Sequence, residues 1–152
     1  MKFSTRKDIA LPQERVFAAV SDFPAFERQA LRRGVEVVRA DGTDTVGLGA
    51  AWTLRFDYRG RPREMEARVT GFDAPTGYTI AATTGGLELD LSVETMALAR
   101  SRTRLFVSLD LRPQTVAARL LVQSLKLAKT NLARRFDRRV GEYAAGLETA
   151  RP

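Results

Sequence analysis

Residues 52–82 read WTLRFDYRGRPREMEARVTGFDAPTGYTIAA, and this stretch decides the fold class. Every second residue from Trp52 to Tyr58 is apolar or aromatic, and the same alternation returns from Met65 to Val69. A period of two predicts β-strands with one apolar face and one wet face. Residues 59–62 and 74–77 contain Gly and Pro in turn positions, so these strands should form an antiparallel meander.

The alternation extends in both directions from this stretch. Downstream it continues from Leu87 to Val93 and from Leu105 to Leu111, while upstream residues 2–9 are typical of an edge or partly exposed strand. Its phase changes near Thr95, because Met96 and Leu98 are the next large apolar residues, and this change predicts a β-bulge.

Two short helices are predicted between the first strand and the meander. Pro12 suits the first position of a helix, and apolar residues then recur at helical spacing as far as Phe23. Pro24 ends or interrupts that run. A second helix is predicted from Ala25 to Arg33, with Gly34 in the position where helices commonly stop.

The last part of the chain predicts one long helix, from about Gln114 to Leu147. Its apolar residues follow steps of three or four without a break. They are Ala117, Leu121, Leu125, Ala128, Leu132, Phe136, Val140, Tyr143 and Leu147. Val116, Leu120 and Leu127 widen this stripe, so we expect the first half of the helix to be buried over a larger arc. The opposite side is basic, through Arg119, Lys126, Lys129, Arg134 and Arg138.

These elements predict an α+β domain that spans residues 1–152. The single apolar face of a curved antiparallel sheet of about seven strands must meet the single apolar stripe of the long helix. Where a curved sheet and a straight helix separate at one end, a cavity lined by both should remain.

The composition excludes several classes of enzyme. The chain has neither Cys nor His. It therefore lacks thiol nucleophiles, cysteine zinc sites and the residue that most often transfers protons near neutral pH. The acidic residues of the strands fall on the predicted solvent face. We assign no catalytic residue, no metal site and no cofactor.

The net charge of +7 is unevenly distributed along the chain. Residues 1–113 carry a net charge of +2, whereas residues 114–152 carry +5. Arg outnumbers Lys 21 to 4, a bias that genome base composition can produce without a phosphate partner. Exposed aromatic residues do not interleave with the basic ones, so a nucleic-acid partner is not expected.

Three segments resemble the SRPBCC superfamily, which includes START-like lipid-transfer domains, polyketide cyclase/dehydrase proteins and pollen-allergen-like carriers. They are VFAAVSDFPAF at 16–26, YRGRP at 58–62 and VTGFDAPTGY at 69–78, and the order of predicted elements matches over essentially the whole chain. The resemblance implies a helix-grip fold with two short helices after the first strand. It also implies a deep apolar cavity for lipids, polyketides, quinones or similar molecules.

The candidate ligand-binding residues are those expected to line that cavity. They are Trp52, Leu54, Phe56, Tyr58, Met65, Tyr78, Ile80, Leu89, Leu91, Leu121, Ser124, Leu125 and Arg139. For Arg139 and the neighbouring Arg135 two interpretations stay open. The guanidinium reaches water while its stem packs on the stripe, or it meets the carboxylate or enolate of a ligand at the cavity mouth.

Three functions follow as hypotheses. The first is binding or transport of a hydrophobic small molecule or lipid, without catalysis. The second is a cofactor-independent cyclase, aromatase or dehydratase of the polyketide type. The third is an interaction module whose basic C-terminal helix contacts an anionic surface on the ribosome or a membrane. No export signal or spanning segment is visible, so a cytoplasmic location is expected, as a monomer or dimer.

Overall fold

The computed structural model describes residues 1–40 and 46–150, which form seven strands and four helices. The strands are β1 (Lys2–Ile9), β2 (Glu36–Arg39), β3 (Ala51–Tyr58), β4 (Arg61–Asp73), β5 (Gly77–Thr84), β6 (Leu87–Ala99) and β7 (Arg102–Pro113). The helices are α1 (Gln13–Val20), α2 (Phe23–Arg32), α3 (Val116–Leu127) and α4 (Lys129–Thr149).

The strands form one curved antiparallel sheet in the order β1-β7-β6-β5-β4-β3-β2. Strands β3 to β7 follow one another as hairpins, as the alternation predicts. Strands β1 and β2 lie at opposite edges although they are neighbours in sequence. The segment between them must therefore cross the sheet, and accordingly α1 contacts β6 and β7 while α2 contacts β2. The predicted helix-grip architecture is confirmed.

Local signals set the ends of the two crossing helices. Pro12 is the N-cap of α1, one position before the helix that it was predicted to begin. The carboxylate of Asp22 accepts a hydrogen bond from the backbone N–H of Ala25 at 3.2 Å, so α2 starts two residues earlier than predicted. Gly34 follows α2 with a φ of +83°, a conformation that glycine adopts at little cost.

The prediction of one unbroken C-terminal helix is wrong at Ala128. This residue has φ −107° and ψ 17°, outside the helical range, and it separates α3 from α4. Its N–H bonds to the carbonyl oxygen of Leu125, so the last turn of α3 closes with a three-residue spacing. Alanine carries no helix-breaking signal, which is why the apolar stripe runs through the break in sequence.

The predicted burial of Val116, Leu120 and Leu127 is also wrong. Their side chains are 71%, 62% and 92% exposed. Helix α3 instead buries Ala118 and Val122. At 100° per residue these two lie on the side of the helix opposite the three exposed residues.

The irregularity predicted near Thr95 lies two residues further along β6. Strands β6 and β7 stay in register from Leu87 to Ala97 and shift only between Ala97 and Ala99. Thr95 continues the inward row and is 5% exposed. Its hydroxyl donates to the carbonyl oxygen of Pro75 at 2.5 Å, so a polar residue is satisfied where an apolar one was expected. Met96 and Leu98 therefore point outward.

Two hydrophobic clusters fill the space between sheet and helices. The larger cluster joins α1, α2 and the second half of α4 to the sheet, with Val16, Phe17 and Ile9 among its members. The smaller cluster lies beneath α3 and contains Phe3, Leu87, Leu111, Ala118 and Val122. The cavity described below adjoins both clusters.

Candidate ligand-binding cavity

A cavity of about 590 Å³ lies between the concave face of the sheet, α2 and α4. Its wall is formed by apolar side chains with few polar groups. The lining residues are Val20, Phe23, Phe26, Glu27, Ala30, Val37, Trp52, Leu54, Met65, Ala67, Tyr78, Ile80, Ala82, Leu89, Leu91, Val93, Leu105, Val107, Leu109, Phe136, Arg139, Val140 and Tyr143. Its volume falls within the range of small-molecule sites.

The structure brings part of the predicted site together on this wall. The residues that line the cavity are Trp52, Leu54, Met65, Tyr78, Ile80, Leu89, Leu91 and Arg139. All but Arg139 come from the sheet, where the period of two assigned the inward face. Arg139 lines the cavity and is also exposed, which fits both interpretations of its guanidinium.

Five predicted residues lie elsewhere. Phe56 is half-buried beside an open surface groove, and Tyr58, at the end of β3, is 39% exposed. Both lie too near the β3–β4 turn for a helix to cover them. Leu121 and Leu125 pack in the cluster beneath α3, and Ser124 is exposed. The break at Ala128 removes α3 from the wall that a continuous helix would have extended.

Helix α2 supplies wall residues that the sequence analysis missed. Phe26, Glu27 and Ala30 line the cavity from this side. Phe26 and Ala30 are four residues apart, and this spacing could have identified an inward face. Val140 and Tyr143 also line the cavity. They were predicted to lie on the apolar stripe but were not assigned to the site, although both lie within about one helical turn of Arg139.

A short hydrogen bond fixes the indole of Trp52. Its Nε1 donates to Oε1 of Glu27 at 2.6 Å, and the Arg39 guanidinium also contacts that oxygen at 3.3 Å. The Arg39 guanidinium carbon lies 5.0 Å from the centre of the indole ring. The charge of the Glu27 carboxylate is therefore balanced by Arg39, and one of its oxygens already accepts the indole hydrogen bond. Glu27 is thus a structural partner of Trp52 and is poorly suited to bind a guest.

Tyr78 has a structural bond. Its hydroxyl donates to the carbonyl oxygen of Val20 at 2.6 Å, and the residue is 7% exposed. Burial raises the pKa of Tyr78 well above its ordinary value, with a smaller contribution from Tyr143. Its ring lies 5.3 Å from that of Phe23 and 6.3 Å from that of Phe72, measured between centres. One hydrogen bond and aromatic packing therefore hold Tyr78 in the cavity wall.

Arg139 and Tyr143 are the polar groups of the wall that are free to bind a guest. Neither side chain has a hydrogen bond or ion pair with a residue in the described ranges 1–40 and 46–150. Burial and the nearby Asp22 raise the pKa of Tyr143 to about 12, so its hydroxyl is protonated at neutral pH. Four residues apart on α4, the two project from the same side of the helix.

This arrangement combines a large apolar surface with one cation and one hydrogen-bond donor. Among the residues that the structure describes, no group of three or more acidic side chains could hold a metal ion. The wall is suited to an apolar guest that carries one polar or anionic end.

Several solved structures superpose on most of this chain. Ara h 8.0201 superposes with a TM-score of 0.61 at 14% identity, covering 96% of this chain and 98% of that one. The Zhui aromatase/cyclase from Streptomyces sp. R1128 gives 0.62 at 13% identity, over 88% of each chain. A START superfamily protein from Mycobacterium smegmatis gives 0.57 at 15% identity, over 88% of this chain and 95% of that one. These likenesses establish the fold alone.

Sequence comparison extends the assignment from fold to family. No curated protein matches the chain. Within the described residues, no helix is long and apolar enough to cross a bilayer.

The family model described as polyketide cyclase/dehydrase and lipid transport matches residues 1–148. The chain therefore belongs to the polyketide cyclase/dehydrase and lipid transport family of the SRPBCC superfamily.

Proposed function

We propose that the chain binds a hydrophobic small molecule or lipid in the cavity between the sheet and α4. The observation that supports this most directly is the cavity of about 590 Å³ with its nearly continuous apolar wall. A cavity of this size costs packing energy, and a ligand-binding function would explain why the fold keeps it. The family description, which includes lipid transport, is consistent with this role.

We further propose that the ligand carries an anionic or strongly polar group that meets Arg139. A guanidinium at an apolar wall, with no partner among residues 1–40 and 46–150, can form charge-assisted hydrogen bonds to a carboxylate, sulfonate or enolate. The Tyr143 hydroxyl, protonated at neutral pH, can donate to the same oxygen. Specificity would then depend on this polar end, since the apolar wall accepts many shapes.

Two fluorescent probes test this proposal, because they share one ring system and differ in charge. They are 8-anilinonaphthalene-1-sulfonate and the uncharged N-phenyl-1-naphthylamine. Arg139→Gln should weaken binding of the sulfonate by about tenfold, the effect of losing a charge-assisted hydrogen bond, and leave the neutral probe unchanged. Arg135→Gln is the matched control, because Arg135 lies one turn away and outside the wall.

A second pair of variants tests the cavity itself. Ala67→Phe places a ring in the cavity and should weaken both probes. Ala81→Phe adds the same ring to the other face of the neighbouring strand and should affect neither. If both probes bind Ala67→Phe as tightly as the unaltered chain, the binding site is not this cavity.

The second candidate function is a cyclase, aromatase or dehydratase reaction. It is favoured by Arg139 and Tyr143, a cation and a protonated phenol that could together stabilise a developing enolate oxygen. The likeness to an aromatase/cyclase from Streptomyces is consistent with it. Turnover of a polyketide-like substrate that is lost in Tyr143→Phe but retained in Tyr78→Phe would support this function. Ligand binding without turnover of any such substrate would favour the carrier role.

A further inference from the structure

The outer face of α3 is apolar and uncovered. Val116, Leu120 and Leu127 fall within about 40° of one another on a helical wheel and are 71%, 62% and 92% exposed. The opposite face buries Ala118 and Val122. Helix α3 is therefore apolar on two opposite sides. The fold of the chain buries one of them, and the other remains exposed.

Positive charge accompanies this apolar face. Residues 114–136 contain five basic residues and no acidic one. On the helical wheel Arg119 and Lys126 lie beside the exposed apolar row. Both are exposed, and neither pairs with any residue in the described parts of the chain. Aliphatic residues bordered by unpaired cations are the features of helices that lie in the interface of an anionic bilayer.

We propose that α3 docks on an anionic lipid bilayer through this face. The three aliphatic side chains would enter the headgroup region, and Arg119 and Lys126 would contact lipid phosphates. Among other occupants, a nucleic acid would use aromatic stacking, and the exposed row contains no aromatic residue. A second copy of the chain would place two basic helices against each other in a symmetric interface.

The inner side of α3 links this docking surface to the cavity. Leu89, Leu109 and Phe136 belong to the cluster beneath α3 and also line the cavity. The cluster beneath α3 therefore adjoins one end of the cavity, and α3 itself ends at the non-helical Ala128. Docking would bring that end to the membrane, which gives a lipid ligand of the proposed function a short route between bilayer and cavity.

Vesicle flotation tests the apolar contribution. The unaltered chain should bind vesicles of equal parts phosphatidylcholine and phosphatidylglycerol, and bind phosphatidylcholine alone at least about tenfold more weakly. L120Q/L127Q should lose at least about tenfold in binding to the anionic vesicles. M96Q/L98Q, which alters two exposed apolar residues on the opposite side of the sheet, should bind like the unaltered chain. Unchanged circular dichroism shows that each variant is folded.

Salt and charge variants test the electrostatic contribution. Binding to the anionic vesicles should weaken as NaCl rises, because the charges lie at the surface. R119Q/K126Q should weaken it by about tenfold, given the usual contribution of each cation near an anionic membrane. R59Q/R61Q removes two arginines from the β3–β4 turn and should have little effect.

The outcomes separate this proposal from the proposed function. Absence of vesicle binding, with the naphthalene probes still bound, would overturn docking and leave the cavity function standing. Vesicle binding without probe binding would support docking and contradict the cavity function. Vesicle binding that L120Q/L127Q leaves intact would overturn docking by α3. Tighter binding to an RNA homopolymer than to the vesicles would also overturn docking by α3. A dimer that forms without vesicle binding and is abolished by L120Q/L127Q would overturn it too.

Discussion

The indole of Trp52 shows how one side chain of the cavity wall is positioned. Its ring is 7% exposed and meets the ring of Phe23 edge to face at 5.3 Å between centres. These contacts hold the plane of the ring, and the hydrogen bond to Glu27 fixes its polar edge. Wall and core are thus the same residues, and a change that removes a wall contact also costs stability.

Replacement of Glu27 tests this coupling. Glu27→Ala removes the acceptor of the indole N–H and should lower the free energy of unfolding by about 1–3 kcal/mol, because a buried donor is left without a partner. Urea denaturation measures this difference. Glu64→Ala is the control, since its ion pair with Arg55 is exposed and should contribute at most about 1 kcal/mol. Equal losses in the two variants would contradict a special role for Glu27.

At the residue scale, the sequence predicts apolar wall positions well and polar ones poorly. The inward positions of Leu89, Leu91 and Ile80 follow from alternation alone. Alternation did not predict the inward position of Thr95, because that position depends on hydrogen-bond partners that are distant in sequence. The side chain of Gln13 donates to both the carbonyl and the hydroxyl oxygen of Thr95 at 3.1 Å. No local pattern contains that information.

At the scale of elements, the break between α3 and α4 is the main difference from expectation. The apolar stripe continues through Ala128, so periodicity alone favours one helix. Tertiary packing decides otherwise: α3 packs on β7, whereas α4 packs on β1. The start of α3 is defined locally, because the Thr115 hydroxyl accepts a hydrogen bond from the N–H of Ala118 at 3.1 Å.

Two adjacent glycines allow a test of how α3 is anchored. Gly85 and Gly86 both have positive φ, at +52° and +79°, but only at Gly86 would an added Cβ clash with Thr115. Gly85→Ala should cost about 1–2 kcal/mol from backbone strain alone. Gly86→Ala should cost more, since it also displaces the cap of α3. Thermal unfolding of the two variants gives the comparison, and equal midpoints would show that the contact with Thr115 is unimportant.

At the scale of the whole molecule, both sheet edges are protected. Strand β2 has only four residues, and short edges pair poorly with other chains. Strand β1 is covered by α4, where Asp137 accepts a hydrogen bond from Thr5 at 2.5 Å and pairs with Lys7 at 3.0 Å. On its other side, Asp8 pairs with Arg104 of β7 at 2.8 Å. Alternation predicted β1 and β3 to β7 but not the short edge strand β2, and the contacts that protect the edges are visible only in the folded structure.

The ion pairs of Asp8 and Asp137 lead us to expect a loss of stability in acid. Hydrogen bonds from Thr5 and Lys7 lower the pKa of Asp137, and the bond from Arg104 lowers the pKa of Asp8. A lowered pKa gives stability that is present above the ordinary value of 3.8 and is lost as the pH falls through the folded-state pKa. The double variant D8N/D137N should show a smaller decrease in denaturation midpoint than the unaltered chain between neutral pH and pH values below 3.8. Asp57→Asn, at the end of β3, serves as the control and should retain the full decrease.

The position of Trp52 also has an optical consequence. It is the single tryptophan of the chain and forms part of the cavity wall, so essentially all emission excited at long ultraviolet wavelengths originates beside the binding space. A guest that absorbs near the indole emission band, such as N-phenyl-1-naphthylamine, should quench this fluorescence by energy transfer in proportion to occupancy. The protein would then report the filling of its own cavity without a label, and Trp52→Phe would abolish the signal.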